Sequence, residues 1–361
     1  MQLTYLKVKN FRNFSQEELE PQPRVNIFYG LNGSGKTNLL EAIFLLCLGR
    51  SQRGNNDAVL LKSGEESYRV EGTLASGGST HEVAVAYLSR GRKQITIDGI
   101  KSRLPELYER FSAVAIGPED SEILSGPPSA RRLFMDLYVS QYSKKYLEEL
   151  SRYNRIVEQK NAALKEELEF ESYNTLLVKS GSEIMKARSQ FLKILLDYSD
   201  EYYKRFSNGT TLSLVYKPSA VDGSAIDEKI VESEFENRLD EIREKEIIMK
   251  TALIGPHRDE IELSVNDMPA RTHSSQGEWR SAAIALKLAV YKLLKEKRKF
   301  SPLLLLDEVF AELDEQRVDA LMNSFVDFEQ IFLTTATAPP EQLRVNAKSF
   351  KIKNGQIEAA A

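Results

Sequence analysis

The chain has 361 residues, 42% of them apolar and 28% charged, with a formal net charge of −4. This is an ordinary soluble globular balance, enough for about two domains of ~150 residues. No apolar run approaches the ~20 residues of a membrane span, the single cysteine Cys47 excludes a disulfide framework, and the net acidity leaves any nucleic-acid binding to local basic clusters.

Met1 to Tyr5 carries no signal-peptide pattern, so a cytoplasmic protein is expected. Residues 3–9 alternate as a strand, with Leu6 and Val8 against Lys7 and Lys9. Val25 to Tyr29 is a second strand of β-branched and aromatic residues. Next comes Gly30-Leu31-Asn32-Gly33-Ser34-Gly35-Lys36-Thr37, which fits G-x-x-x-x-G-K-[ST], the Walker A or P-loop pattern. A mostly apolar helix follows, holding Leu39, Leu40, Ile43, Leu46 and Leu48 and ending at Gly49; Cys47 reads as a small core residue within it. Strand, glycine loop and helix form the context in which backbone N–H groups and a helix N-terminus cradle phosphate.

Residues 67–74, 81–89 and 94–97 alternate like antiparallel strands, and Asp98-Gly99 marks a tight hairpin turn. This hairpin carries Arg90, Arg92, Lys93, Lys101 and Arg103 against one acid, which suits DNA phosphates and equally a solvated sheet edge. Val114 to Ile116 is another strand. From about 129 to 206 helical periodicity dominates, clearest at Ile184, Ala187, Phe191, Ile194, Leu195, Tyr198 and Tyr202. The mixed-charge segment 228–250 reads as an exposed helix. Alternating Ile261, Leu263 and Val265 then suggest a return to α/β texture. A helix over 277–297 precedes the strand Leu303 to Leu306, and a further strand covers 331–335.

Four leucines followed by Asp307 and Glu308 have the form of a Walker B strand, because a buried parallel strand reads as a continuous apolar run. With Lys36 reaching the β- and γ-phosphates, Thr37 and Asp307 would hold Mg²⁺. Glu308 stands where it can take a proton from an attacking water. Ser275-Gln276-Gly277-Glu278 opens the Ala-rich helix as a second anion-binding N-terminus, or as a plain serine N-cap. About 270 residues separate Lys36 from Asp307, far more than a compact small-molecule kinase needs. A P-loop phosphotransferase acting on a small molecule is the alternative, and it leaves Ser275 and Gly277 unexplained.

Taken together, these motifs resemble the ABC-type ATPases of the SMC and RecF group, and almost the whole chain resembles the RecF family. The resemblance rests on Asn10-Phe11-Arg12-Asn13, the P-loop, Gly117-Pro118-Glu119-Asp120, Arg131-Arg132-Leu133-Phe134-Met135-Asp136, Gly255-Pro256-His257-Arg258-Asp259 and the Walker B run. It makes Ser275, Gly277 and Glu278 a signature acting in trans and Asp314 part of a D-loop, while Thr335 takes the switch position by place alone. It implies an α/β fold: an ABC-type P-loop ATPase head, a mixed sheet flanked by helices, from 1–120 and 250–361, with an inserted mainly helical domain at 121–249. It further implies ATP and Mg²⁺ as ligands and an ATP-dependent homodimer on double-stranded or gapped DNA. Weak DNA-stimulated hydrolysis would reset that dimer. The expected role is recombinational repair and replication-fork maintenance, with recombinase loading assisted by mediator proteins such as RecR.

Overall fold

The computed structural model describes all residues except 55, 90, 208, 224, 225, 228, 337–346, 360 and 361. The chain divides into two compact units, Met1–Asp120 with Val290–Ala361, and Ser121–Ala289. The first unit opens with strands β1 (Gln2–Phe11) and β2 (Phe14–Leu19), then β3 (Arg24–Tyr29) and helix α1 (Lys36–Leu48). β4 (Ser67–Ser76), β5 (Ser79–Leu88), β6 (Gln94–Ile97) and β7 (Ile100–Ser102) follow, then α2 (Leu104–Arg110) and β8 (Ala113–Ile116). Six of these strands form an antiparallel sheet in the order β2-β1-β4-β5-β6-β7. Asp98 and Gly99 both take positive φ, 53° and 76°, as a two-residue turn between right-twisted strands requires. α1 is apolar nearly all round and is buried accordingly.

The second unit begins with α3 (Glu122–Ser125), α4 (Pro128–Tyr142), α5 (Lys144–Lys165) and α6 (Glu171–Phe206), followed by β9 (Leu212–Lys217) and α7 (Val231–Met249). β10 (Glu260–Val265), β11 (Met268–Pro269), α8 (Ala270–His273) and α9 (Gln276–Arg298) complete it, α9 running on into the first unit. Four expectations change here. β10 pairs with β9, a strand the sequence reading did not foresee, in a separate three-stranded sheet. The unit therefore continues to Ala289, past the boundary expected at 249. The buried stripe of α6 excludes Ile194, which is 39% exposed, and includes the charged Arg188. α7 is not wholly exposed, since Val231, Phe235, Leu239 and Glu246 are buried, Glu246 through an ion pair with the equally buried Lys160 at 2.6 Å.

The first unit resumes with β12 (Leu303–Leu306), α10 (Glu315–Ser324), β13 (Gln330–Thr335), β14 (Ala347–Lys353) and β15 (Gln356–Ala359). Its second sheet runs β15-β14-β3-β13-β12-β8 and is parallel apart from the edge strand β15. β3 and β12 flank β13, so the residues that follow each of them emerge at the same carboxyl edge of the sheet. Among the described residues no helix is long and apolar enough to cross a membrane.

Candidate functional site

The P-loop leaves β3 at Gly30 and enters α1 at Lys36. Gly30 (φ 153°) and Gly35 (φ 118°) take backbone conformations closed to other residues. A Cβ at Gly30 would lie 2.2 Å from the Ile352 carbonyl oxygen, and one at Gly35 would strike the Asn13 amide at 2.6 Å. Asn13 braces the loop, donating to the Ser34 carbonyl at 2.9 Å and accepting from the Asn38 amide at 2.9 Å. Leu31, Asn32 and Gly33 are exposed, whereas Ser34, Gly35 and Lys36 are buried. The Lys36 ammonium donates to the Gly30 carbonyl at 2.7 Å and the Leu31 carbonyl at 3.2 Å. The buried Ser34 hydroxyl has no hydrogen-bond partner among the described residues. A loop with its lysine folded onto its own carbonyls and a buried hydroxyl unpaired has the donor set of an oxyanion cradle.

Asp307 and Glu308 follow β12 and meet this loop. Thr37 Oγ1 donates to Asp307 Oδ1 at 2.8 Å, and Glu308 Oε1 lies 3.1 Å from Lys36 Nζ. Thr334, near the end of β13, ties the two acids together. Its hydroxyl donates to Asp307 Oδ1 at 2.7 Å and accepts from the Glu308 N–H at 2.9 Å. Glu308 sits at φ 50°, the left-handed region, which turns its side chain from the strand toward Lys36; Oε2 accepts from the Ala336 N–H at 3.1 Å. Arg53 lies 3.9 Å from Asp307 Oδ2 and 3.3 Å from Glu119 Oε1. Sequence reasoning missed Thr334 and Arg53, because one is a threonine near the end of an apolar strand and the other a basic residue in an otherwise polar stretch. Arg12, in the Asn10–Asn13 motif, spends its guanidinium on the fully buried Glu41 at 2.8 and 3.0 Å.

The signature residues lie in the other unit. Ser275 Oγ accepts from the Glu278 N–H at 3.3 Å, and Glu278 Oε2 accepts from the Ser275 N–H at 2.7 Å, a reciprocal capping box at the start of α9. Gly277 enters the first turn of that helix. Asp314 caps α10 by accepting from the Arg317 N–H at 2.9 Å. Of the basic hairpin residues, Arg90 lies outside the described residues. Lys93 is neutralised by Asp57 at 2.9 Å. Arg92, Lys101 and Arg103 are exposed and make no ion pair among the described residues.

The family description "RecF/RecN/SMC N terminal domain" matches residues 2–357. The DNA replication and repair protein RecF of Lachnoclostridium phytofermentans is 34% identical over 98% of both chains, and that of Bacillus mycoides is 31% identical over 99% of this chain and 98% of its own. The chain belongs to the RecF family. Among solved structures, one described as the recombination mediator protein RecF–ATP in the RecFOR pathway superposes with a TM-score of 0.91 at 32% identity, covering 99% of this chain and 97% of that one. The SMC head domain of Pyrococcus furiosus shares the fold at a TM-score of 0.55 and 15% identity, with 99% and 95% covered.

In this RecF-family chain the two remaining motifs meet within the second unit as a buried polar network. Arg188, 1% exposed, donates to Asp136 at 2.7 Å, Asp259 at 3.0 Å, the Pro256 carbonyl at 2.7 Å and the Tyr146 hydroxyl at 2.9 Å. Asp259, fully buried, also accepts from the Tyr216 hydroxyl and from the Ser219 N–H at 2.8 Å. Arg131 grips Glu260 through two bonds at 2.5 and 2.7 Å. His257 Nε2 lies 3.2 Å from the Ala252 carbonyl, which can only accept, so that nitrogen carries the proton and Nδ1 accepts from the Tyr153 hydroxyl at 2.8 Å. Burial pushes the His257 pKa down to about 4 and raises that of Tyr153. His257 thus serves as a neutral packing element. No part of the sequence pointed to Arg188 as the centre of this network.

Proposed function

We propose that this chain is an ATP-dependent DNA-binding protein of recombinational repair and replication. The observation that carries the reading is the meeting of Lys36, Thr37, Asp307 and Glu308 at one sheet edge, beside a buried Ser34 hydroxyl with no partner. Lys36 would leave its loop carbonyls for the β- and γ-phosphates of ATP. Thr37 Oγ1 and Asp307 would hold Mg²⁺, which would screen phosphate charge. Glu308 would take the proton of the attacking water.

Ser275, Gly277 and Glu278 would meet the nucleotide of a second copy, so that ATP joins two chains. This accounts for one sequence carrying two phosphate-binding helix starts in different units. The joined pair would hold double-stranded or gapped DNA through its phosphates, with Arg92, Lys101 and Arg103 as contacts. Mediator proteins such as RecR would act with it in recombinase loading, and the description of a similar structure as a recombination mediator in the RecFOR pathway supports a mediator role. Slow hydrolysis would release the pair. Sedimentation velocity with ATP, ADP or no nucleotide, with and without duplex DNA, tests the reading. A dimer that forms and retains DNA only with ATP is expected; a chain that stays monomeric and free of DNA in ATP overturns it.

A further inference from the structure

Four arginines meet three carboxylates in the polar network of the second unit, and the pairing leaves two arginines over. Glu260 is taken by Arg131 and also accepts from the Ile261 N–H at 2.7 Å. Asp259 is filled by Arg188, Tyr216 and the Ser219 N–H. Asp136 stands one helical turn after Arg132, where an ion pair is ordinary, yet it turns to Arg188 and the Tyr146 hydroxyl instead. Arg132 and Arg258 therefore make no ion pair among the described residues.

Both are nevertheless anchored. Arg132 donates to the Asp259 carbonyl at 3.1 Å. Arg258 donates to the Ala252 carbonyl at 3.2 and 3.4 Å, an oxygen it shares with His257, so its hold is loose and most of its N–H groups stay open. The side chain of Arg132 is half-buried, that of Arg258 exposed. Partial burial lowers the Arg132 pKa, Arg188 and Arg258 close by lower it further, and Glu260 and Asp259 partly offset this, so Arg132 stays a cation. Neutral His257 adds nothing to this charge and supplies no counter-ion. The surface thus presents two neighbouring guanidinium groups, held from behind by backbone carbonyls and in no ion pair among the described residues.

We propose that Arg132 and Arg258 form a phosphate-binding site on the helical unit that takes backbone phosphodiesters of DNA. Planar guanidinium forks match phosphate oxygens two at a time. Duplex DNA offers closely spaced phosphates, so neighbouring guanidinium groups can each take one. The DNA source rests on the function proposed above; the phosphate chemistry does not.

The test uses the full chain with ATP and a fluorescein-labelled 30-base-pair duplex, its anisotropy followed between ~50 and ~200 mM salt. Arg132→Gln and Arg258→Gln should each lower the log–log salt slope by about 0.9, so affinity falls ~3.5-fold less over that fourfold salt range. The double variant should show twice the slope change, and Arg132→Lys and Arg258→Lys should keep the parental slope. Glutamine can retain the carbonyl contacts, and unchanged circular dichroism and melting temperature would confirm folding. Parental slope and affinity in the double variant, with the parent binding duplex, overturns the site and leaves the function standing. A parent that does not bind duplex overturns the function and the DNA source together. Pyrophosphate is then the probe: a melting temperature raised in the parent and not in the double variant keeps the phosphate site, and no rise in the parent removes it.

Discussion

Glu308→Gln separates holding ATP from cleaving it. In the structure Glu308 accepts twice, with Oε1 3.1 Å from Lys36 Nζ and Oε2 3.1 Å from the Ala336 N. A glutamine has one accepting oxygen, so it can satisfy one of these donors and must turn its amide away from the other. The side chain is 23% exposed, so water can take up the orphaned donor and the stability cost should stay near ~1 kcal/mol. Thr37, Asp307 and Thr334 are untouched, which keeps the metal-binding oxygens in place. Loss of a general base slows the proton-transfer step by ~10²- to 10⁴-fold, or roughly 3–5 kcal/mol of barrier. The effect on rate should therefore far exceed the effect on folding. Single-turnover phosphate release, run beside sedimentation in ATP, reads both sides: little phosphate, with a long-lived ATP dimer. Phosphate release at the parental rate would place the base elsewhere and refute the assignment.

Ser275→Arg loses the cap of α9, at ~1 kcal/mol, and should leave ATP binding by a single chain while abolishing the ATP dimer; a dimer that survives in sedimentation removes the signature role. Arg188→Met strips the fully buried Asp259 of its cation and should cost ~3–5 kcal/mol in urea unfolding. Adding Asp259→Asn should recover part of that, and a single-variant cost below ~1 kcal/mol would refute the buried-network account. The His257 pKa is held at about 4, below the ordinary 6.5, so between those values the unfolded chain binds the extra proton. Stability should then fall as pH drops from 6.5 toward 4, by up to roughly 3 kcal/mol. His257→Gln, which can keep both hydrogen bonds, should flatten that slope, and equal pH profiles for the two chains would count against it.

Much of the candidate site was legible because its motifs are local. Gly30 to Thr37 carry a local pattern, since Gly30, Gly33 and Gly35 all take positive φ, although the close approaches at Gly30 and Gly35 come from Ile352 and Asn13, far off in the chain. Four consecutive leucines announce a strand covered on both faces, and the acids after it fall at the carboxyl edge by the geometry of parallel sheets. What tertiary structure alone decided is pairing between distant residues. Alternation in 261–265 shows that β10 is a strand, but it carries no information about whether β9 or the large sheet is its neighbour. Lys93 and Arg12 look like free cations in the sequence, and only the fold brings Asp57 and Glu41 to neutralise them. Arg188 occupies a helical stripe where periodicity asks for an apolar side chain. It is tolerated there because Asp136, Asp259, Tyr146 and the Pro256 carbonyl, from three other segments, converge to replace the water it loses.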